Sequence, residues 1–302
     1  MYPSIPTRIT NFLLRRRVKP KAGQAFDVKL ARARLESLTP KDLTLLPGIT
    51  RTAVGSVAGA PAGEWLRPET YARSILYLHG GGYFSCGLDT HRPVCAQLAR
   101  RAKAQVYSVD YRLAPEHLFP AAIDDAVSAY AQVLASGVVA HNLVVAGDSA
   151  GGGLALACLL AARKRGLPMP GGAVLFSPWT DLTLSGETMQ SMAKRDVMFR
   201  PEQFPAVVAN YLGGHPADDP LASPLFAELG GLPPLMIWAS EDEILCSDAE
   251  RLNAAALRQG VTSELHLRKK MPHVWPVMVR LPEAKLALDK SARFIMRCAG
   301  FA

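Results

Sequence analysis

Apolar and polar positions follow two different rhythms along this chain of 302 residues. Short apolar runs predict strands at 50–58, 63–67, 74–79, 105–110, 142–147, 172–177 and 234–240. Apolar residues at helical spacing predict helices between the later strands, at 91–103, 120–136, 151–165 and 245–259. Strands that alternate with helices of this length form βαβ units, so the pattern predicts a mostly parallel sheet with helices on both faces.

Two segments lie outside this alternation. Residues 24–38 have helical spacing and are followed by Pro40, which predicts an N-terminal helical arm. Residues 178–233 are rich in proline and much longer than one crossover requires, so we expect a cap over the carboxyl ends of the strands. The predicted parts are a helical arm that belongs to the cap (1–45), an α/β core (46–177 and 221–302) and a cap excursion (178–220).

Composition and charge disfavour a few classes of partner and site but do not indicate an activity. The net charge is +8, but the basic residues are dispersed except at Arg15–Arg17 and Lys269–Lys270, so we expect a solvated surface and no nucleic-acid partner. The five cysteines are odd in number and widely spaced, which indicates free thiols and no metal site. The sequence predicts neither a signal peptide nor a membrane span, which favours a cytoplasmic location.

A serine among small residues follows the strand predicted at 142–147. The stretch GDSAG (147–151) matches G-x-S-x-G, in which glycines let a strand and a helix approach closely around a nucleophilic serine. A simple close-packed turn is the alternative for Ser149. A phosphate-binding loop is disfavoured because the lysine of such loops is absent.

The stretch HGGGY (79–83) directly follows another predicted strand. Consecutive glycines let backbone N–H groups point at an oxyanion, and an HGGG-type loop does this in lipases and esterases. We therefore predict three oxyanion donors, the N–H groups of Gly81, Gly82 and Ala150. We expect His79 to support this loop, because it precedes the serine at a strand end.

An acid and a base are expected after the strand at 234–240. Four acids compete for the first role: Glu241, Asp242, Glu243 and Asp248. Asp242 is our prediction from its place in the turn, whereas Asp248 falls in the next helix and is expected to be a surface or capping charge. Among the histidines, His266 lies within an alternating strand and His215 precedes the acid. The chain order serine, acid, histidine therefore favours His273, in a loop between prolines.

Five longer stretches resemble the hormone-sensitive-lipase-like family of α/β-hydrolases, the bacterial-type carboxylesterases. They are YLHGGGY (77–83), VDYRLAPEHLFPAAIDD (109–125), AGDSAGGGLA (146–155), SEDEILCSDAERL (240–252) and MPHVW (271–275). The resemblance implies an α/β-hydrolase fold with an eight-stranded, mostly parallel sheet and a helical cap. It also implies a triad of Ser149, Asp242 and His273, the three oxyanion donors above, and no metal or organic cofactor.

The implied function is hydrolysis of short- to medium-chain acyl esters through an acyl-enzyme. The alternatives within this chemistry are a lactone, for example one derived from a terpene, or a small acetylated molecule. A non-catalytic receptor resembling the plant gibberellin receptors is disfavoured, because those lack a complete triad and His273 is present here. A homodimer is compatible with the resemblance. The candidates for the substrate pocket are Phe84, Met198, Phe199, Phe204 and Trp275.

Overall fold

The computed structural model describes residues 3–37, 39, 45–57 and 59–298. The strands are Ile49–Val54 (β1), Gly63–Pro68 (β2), Arg73–Leu78 (β3), Ala104–Val109 (β4), Leu143–Asp148 (β5), Gly172–Phe176 (β6), Leu235–Ser240 (β7) and Ser263–Arg268 (β8). The α-helices are Ile5–Arg17 (α1), Val28–Glu36 (α2), Leu88–Ala102 (α3), Ala121–Ala135 (α4), Ala150–Lys164 (α5), Thr188–Ser191 (α6), Phe204–Leu212 (α7), Cys246–Arg258 (α8) and Pro282–Cys298 (α9). The predicted strands and core helices are therefore confirmed, with shifts of a few residues at their ends.

Local capping explains two of these shifts. The helix predicted at 24–38 begins at Val28, because the side chain of Asp27 accepts a hydrogen bond from the N–H group of Leu30. Helix α3 begins three residues before the predicted start at 91. There the Thr90 hydroxyl accepts a hydrogen bond from the N–H group of Gly87 and donates one to its carbonyl oxygen.

The eight strands form one sheet in the order β1-β2-β4-β3-β5-β6-β7-β8. Strand β2 runs antiparallel to β1 and β4, and all other neighbours are parallel. Every residue of the central strands β5, β6 and β7 is buried. This is the pattern expected of parallel strands that are covered on both faces, and it confirms the predicted α/β-hydrolase architecture.

Helices cover both faces of the sheet. Residues of α4, α5 and α8 form the buried cluster on one face, and residues of α3 and α9 form the cluster on the other. The loops that follow β3, β5, β7 and β8 leave the sheet at its carboxyl edge. Ligands of open α/β sheets bind at this edge, so a binding site is expected among these loops.

The N-terminal arm packs against the segment that follows β6. Leu14 and Val18 join Val197 in a small buried cluster. Polar contacts extend this packing, since Nε of Arg200 donates to the carbonyl oxygen of Pro20 at 2.7 Å. The two sequence-distant segments therefore pack against each other, and they are together referred to below as the cap.

Candidate active site

The turn between β5 and α5 holds Ser149 in a left-handed backbone conformation, with φ 53° and ψ −125°. Its N–H group donates to the carbonyl oxygen of Phe176 at 2.9 Å, which ties the turn to the neighbouring strand β6. The flanking glycines are required by close backbone contacts. A Cβ atom at Gly147 would lie 2.3 Å from the carbonyl oxygen of Gly151, and one at Gly151 would lie 2.2 Å from that of Leu78.

The loop after β3 lies beside this turn. Gly81 and Gly82 have φ values of 120° and 63°, a region that favours glycine. Within the described chain, the N–H groups of Gly81, Gly82 and Ala150 donate no hydrogen bond to the protein. Ala150 is the first residue of α5, where helix geometry leaves N–H groups without an intrahelical acceptor. The described protein itself therefore uses none of the three predicted donors.

His79 lies beneath this loop and not in the cavity. Its ring stacks on Tyr111 with a centroid distance of 4.2 Å, and Nδ1 lies 2.7 Å from the carbonyl oxygen of Gly80. The Tyr111 hydroxyl donates to the carbonyl oxygen of His79. Burial lowers the pKa of His79 to about 3, so the ring is neutral at physiological pH. These contacts agree with the predicted role of His79, which is to support the glycine loop after β3.

His273, in the loop after β8, pairs with Glu243, in the turn after β7. Nδ1 of His273 lies 2.6 Å from Oε2 of Glu243, and both side chains are buried. The other carboxylate oxygen of Glu243 accepts a hydrogen bond from the N–H group of Ser240 at 2.8 Å. Among the described residues, Nε2 of His273 has no hydrogen-bond partner. This buried and unpaired nitrogen belongs to a side chain that lines the same cavity as Ser149.

The structure contradicts the prediction that Asp242 is the acid beside His273. The Asp242 carboxylate accepts a hydrogen bond from the N–H group of Lys270 and lies 3.5 Å from Nη1 of Arg195 at the surface. In the tight turn after β7, successive side chains point to different sides, and only that of Glu243 reaches the histidine. The structure also corrects the expectation for Asp248, which is buried and accepts hydrogen bonds from the N–H groups of Thr180 and Asp181.

Sequence reasoning missed Asp196, a buried residue of the cap. Its carboxylate accepts hydrogen bonds from the N–H groups of Met198 and Phe199, and also from that of Ile244 in the turn that carries Glu243. The ring of Phe199 in turn packs edge-on against His273, with a centroid distance of 4.8 Å. Asp196 therefore fixes the cap relative to the histidine. No local pattern in the sequence marked this residue.

Arg32 of α2 makes a second connection between the cap and the core. Its guanidinium donates hydrogen bonds to the carbonyl oxygens of Phe84 and Ala114 and to the carboxylate of Glu116. Phe84 directly follows the loop after β3 that contains Gly81 and Gly82, which is called the oxyanion loop below after its predicted role. The N-terminal arm is therefore bound to that loop by a charge-assisted network.

A cavity of about 680 Å³ joins these groups beneath the cap, within the usual size range for small-molecule sites. The cap side of its wall is mostly apolar and includes Leu14, Val18, Phe26, Leu35, Met198, Phe199, Phe204 and Val207. Four of the five predicted pocket residues line it, namely Phe84, Met198, Phe199 and Phe204. The prediction for Trp275 is wrong, because this side chain is 1% exposed and packs against Trp238 in the core.

Asp148, the residue before the serine, is buried under the oxyanion loop. Its carboxylate accepts hydrogen bonds from the Tyr77 hydroxyl at 2.8 Å and the N–H group of Gly80 at 3.1 Å, and lies 3.2 Å from Nε2 of His91. Burial alone would raise the pKa of Asp148, but His91 and the hydrogen bonds from His91 and Tyr77 outweigh it and hold the pKa below its ordinary value. The ionised carboxylate therefore holds the base of the loop.

Two features are absent from the residues that the structure describes. No group of three or more His, Cys, Asp or Glu side chains is arranged to hold a metal ion. No helix in that part of the chain is long and apolar enough to cross a membrane.

The chain is similar to a known protein family and to several known proteins. Residues 75–277 match a family described as having the alpha/beta hydrolase fold. An acetyl-hydrolase of Streptomyces hygroscopicus is 39% identical over 242 residues, which cover 78% of this chain and 80% of the relative. An esterase of Acinetobacter venetianus is 36% identical over 235 residues, covering 77% and 78%.

Solved structures extend the similarity to almost the whole chain. A crystal structure of EstE5 is 38% identical, covers 99% of this chain and 100% of its own, and superposes with a TM-score of 0.92. A crystal structure of an esterase from the bacterial hormone-sensitive lipase family is 36% identical, with the same coverage and TM-score. The similarity therefore includes the cap as well as the sheet.

The buried Asp148 generates a prediction about pH. Because its pKa is lower in the folded state, its stabilising contribution is complete above about pH 5 and is lost as the pH falls through the folded-state pKa. We expect Asp148→Asn to lower the free energy of unfolding by about 1–3 kcal/mol at pH 7, and by less near pH 3. Urea unfolding at several pH values measures this difference. Asp124→Asn, which removes an exposed partner of Arg165, is the control and should leave the profile unchanged. If Asp148→Asn lowered the free energy of unfolding by the same amount at every pH, Asp148 could not be the ionised carboxylate with a lowered pKa.

Proposed function

The chain belongs to the α/β-hydrolase family and is a carboxylic ester hydrolase, and we propose that it cleaves short- to medium-chain acyl esters through an acyl-enzyme on Ser149. One observation carries the proposal. A strained serine, a buried histidine with an unpaired Nε2 and the glycines Gly81 and Gly82, whose N–H groups have no partner in the described chain, line a single apolar cavity, and the unpaired N–H group of Ala150 directly follows the serine. Acyl transfer requires a nucleophile, a base and an oxyanion site in this arrangement.

The proposed triad is Ser149, His273 and Glu243. Glu243 accepts a hydrogen bond from Nδ1–H of His273, which leaves Nε2 as the nitrogen that can take a proton. Nε2 removes the hydroxyl proton of Ser149 as its oxygen attacks the ester carbonyl. The buried carboxylate then stabilises the imidazolium that forms. In the absence of substrate, hydrogen bonds between base and nucleophile are often long, so an unpaired Nε2 agrees with this role.

The negative charge of the tetrahedral intermediate falls on the N–H groups of Gly81, Gly82 and Ala150. Each such donor contributes roughly 3 kcal/mol to the transition state in enzymes of this chemistry. When the intermediate collapses, the imidazolium of His273 protonates the leaving alcohol and an acyl-enzyme remains. Water then attacks the acyl group with His273 as base, and the carboxylic acid is released.

The cavity supports an ester with a modest apolar acyl or alcohol group. Aromatic residues of the cap, Phe26, Phe199 and Phe204, form much of its wall, and Trp179 contributes from the loop after β6. Apolar area buried on this wall stabilises a bound chain by roughly 25 cal/mol per Å². The volume of the cavity, about 680 Å³, limits how much of a longer chain this wall can bury.

The first test removes the nucleophile. We expect Ser149→Ala to lower the kcat for p-nitrophenyl butyrate by roughly 10⁶-fold, because the variant has no group to form the acyl-enzyme. A fluorophosphonate probe should label the wild-type protein at Ser149 and leave the variant unlabelled, as shown by mass spectrometry. Unchanged urea unfolding provides the control for folding. Substantial hydrolysis by the variant, or labelling at another residue, would refute the proposed nucleophile.

The second test separates the two adjacent acids. Replacing Glu243 by Gln removes the carboxylate that fixes the tautomer of His273, so we expect kcat/KM to fall by roughly 10⁴-fold. Asp242→Asn is the matched control and should change kcat/KM by less than about threefold, because its carboxylate does not contact the histidine. The opposite order of effects would restore Asp242 as the acid.

The third test concerns acyl-chain length. Rates with p-nitrophenyl acetate, butyrate, octanoate, dodecanoate and palmitate should peak among the shorter esters and fall by at least about tenfold for palmitate, because the apolar wall can contact only a limited length of chain. Rates are compared as kcat/KM below the solubility limit of each ester, with Ser149→Ala as the blank. Palmitate turnover equal to that of butyrate would contradict the proposed substrate range.

A further inference from the structure

Helix α1 presents an apolar face to solvent. Thr7 and Leu14 are buried on its inner side. The exposed apolar residues are Ile5 (70%), Ile9 (55%), Phe12 (53%) and Leu13 (39%). At about 100° per residue these four positions share one side of the helix, opposite Thr7 and Leu14. A helix that packs on a protein surface usually turns polar residues outward, so the internal packing of the chain does not explain this face.

Arginines border the exposed apolar face on both sides, and Arg16 falls within this face at about 100° per residue. Arg8 and Arg15 lie along one edge and Arg17 along the other, and α1 contains no acidic residue. The guanidinium of Arg16 lies over the exposed ring of Phe12, 4.5 Å from its centroid. The exposed surface of the helix is therefore both apolar and basic, and Arg15 also donates hydrogen bonds to the carbonyl oxygens of Lys194 and Arg195.

A basic groove runs beside this helix. Its exposed basic side chains are Arg8, Arg15, Lys194, Arg195, Lys269 and Lys270, whereas Glu241 and Asp242 are its only acids in the described part of the chain. The fold thus brings Arg15, the first residue of the run 15–17, to the same groove as Lys269 and Lys270, although they are about 250 positions apart in the sequence.

We propose that α1 and the basic groove bind the surface of an anionic phospholipid bilayer. A helix with an apolar face between arginines lies in the plane of such a surface, with its apolar side chains at the boundary of headgroups and acyl chains. The arginines and lysines then meet lipid phosphates, each strengthening binding about fivefold. Both the apolar face and the surrounding charge match this one partner.

The same features disfavour pairing with a second copy of the chain. In a symmetric dimer each face would pack on itself, which brings Arg8, Arg16 and Arg17 of both copies together without an acidic partner on α1. An anionic surface has no such conflict.

The position of α1 connects bilayer binding to the cavity. Thr10, Leu14 and Val18, on or next to its inner side, line the cavity that contains Ser149. Bilayer binding would therefore place the cavity wall against the lipid, where apolar esters dissolve. This consequence rests on the proposed ester hydrolysis, whereas binding itself does not.

The test measures binding of the full chain to sucrose-loaded vesicles by sedimentation. We expect at least tenfold stronger partitioning to phosphatidylglycerol–phosphatidylcholine vesicles than to phosphatidylcholine alone, and release at 0.5 M salt. The double variant Ile9→Ser/Phe12→Ser keeps every charge and should bind at least tenfold more weakly. Its control is Leu257→Ser/Leu286→Ser, which alters leucines of similar exposure on α8 and α9 and should bind like the wild type.

Charge is tested separately. Arg16→Gln/Arg17→Gln should weaken binding to the anionic vesicles about 25-fold, whereas Arg100→Gln/Arg258→Gln, exposed arginines on α3 and α8, should have a smaller effect. Equal binding by the wild type and Ile9→Ser/Phe12→Ser would show only unspecific attraction and overturn the proposal. Loss of a dimer in that variant, without vesicle binding by the wild type, would assign the face to self-association instead. Hydrolysis of p-nitrophenyl acetate without vesicles should be unchanged in all four variants, so a failure of the proposed function is seen independently.

Discussion

The left-handed backbone at Ser149 is the constraint on which the rest of the site depends. Such a conformation costs roughly 1–3 kcal/mol in a residue other than glycine, so its surroundings must hold it. The N–H group of Ser149 is bound to β6, and its carbonyl oxygen accepts a hydrogen bond from Trp179 after that strand. On the other side, Gly151 touches the backbone at the end of β3. The parallel order β3-β5-β6 therefore fixes the serine between the oxyanion loop and the cap.

Three buried carboxylates fix the remaining loops relative to this turn. Asp148 holds the base of the oxyanion loop, Glu243 holds His273, and Asp196 holds the cap against the turn that contains Glu243. A buried carboxylate is tolerated only where donors surround it, so each of these residues requires its loops to lie in one arrangement. The arrangement of the candidate site is thus a consequence of satisfying buried carboxylates, which link loops that are distant in sequence.

Features set by neighbouring residues could be predicted from the sequence, whereas those set by contacts between distant residues could not. The serine turn and the oxyanion loop are specified by adjacent glycines, and the central strands by uninterrupted apolar runs, so local sequence was sufficient. The choice between Asp242 and Glu243 depends on the direction of side chains in one tight turn. A local signal did exist, because Ser240 and Glu243 have the S-x-x-E spacing in which a glutamate accepts the N–H group of the serine. Asp196 had no such signal, because its partners include a residue 48 positions away.

The surface charge around the N-terminal arm also could not be predicted from local sequence, because it depends on segments that are distant along the chain. The arginines of the arm at 15–17 form a short basic run for which the sequence predicts only a solvated surface. The fold places one of them, Arg15, in a groove with Lys269 and Lys270. Glu283 of α9 binds the start of α1 through the N–H group of Ser4 and the hydroxyl of Thr7, both at 2.7 Å. These contacts fix the rotation of α1 about its axis. Its inner side therefore faces the cavity and its outer side faces solvent. A single helix thus supplies a wall of the candidate active site and a basic apolar surface, and substitutions on its two sides can separate these roles.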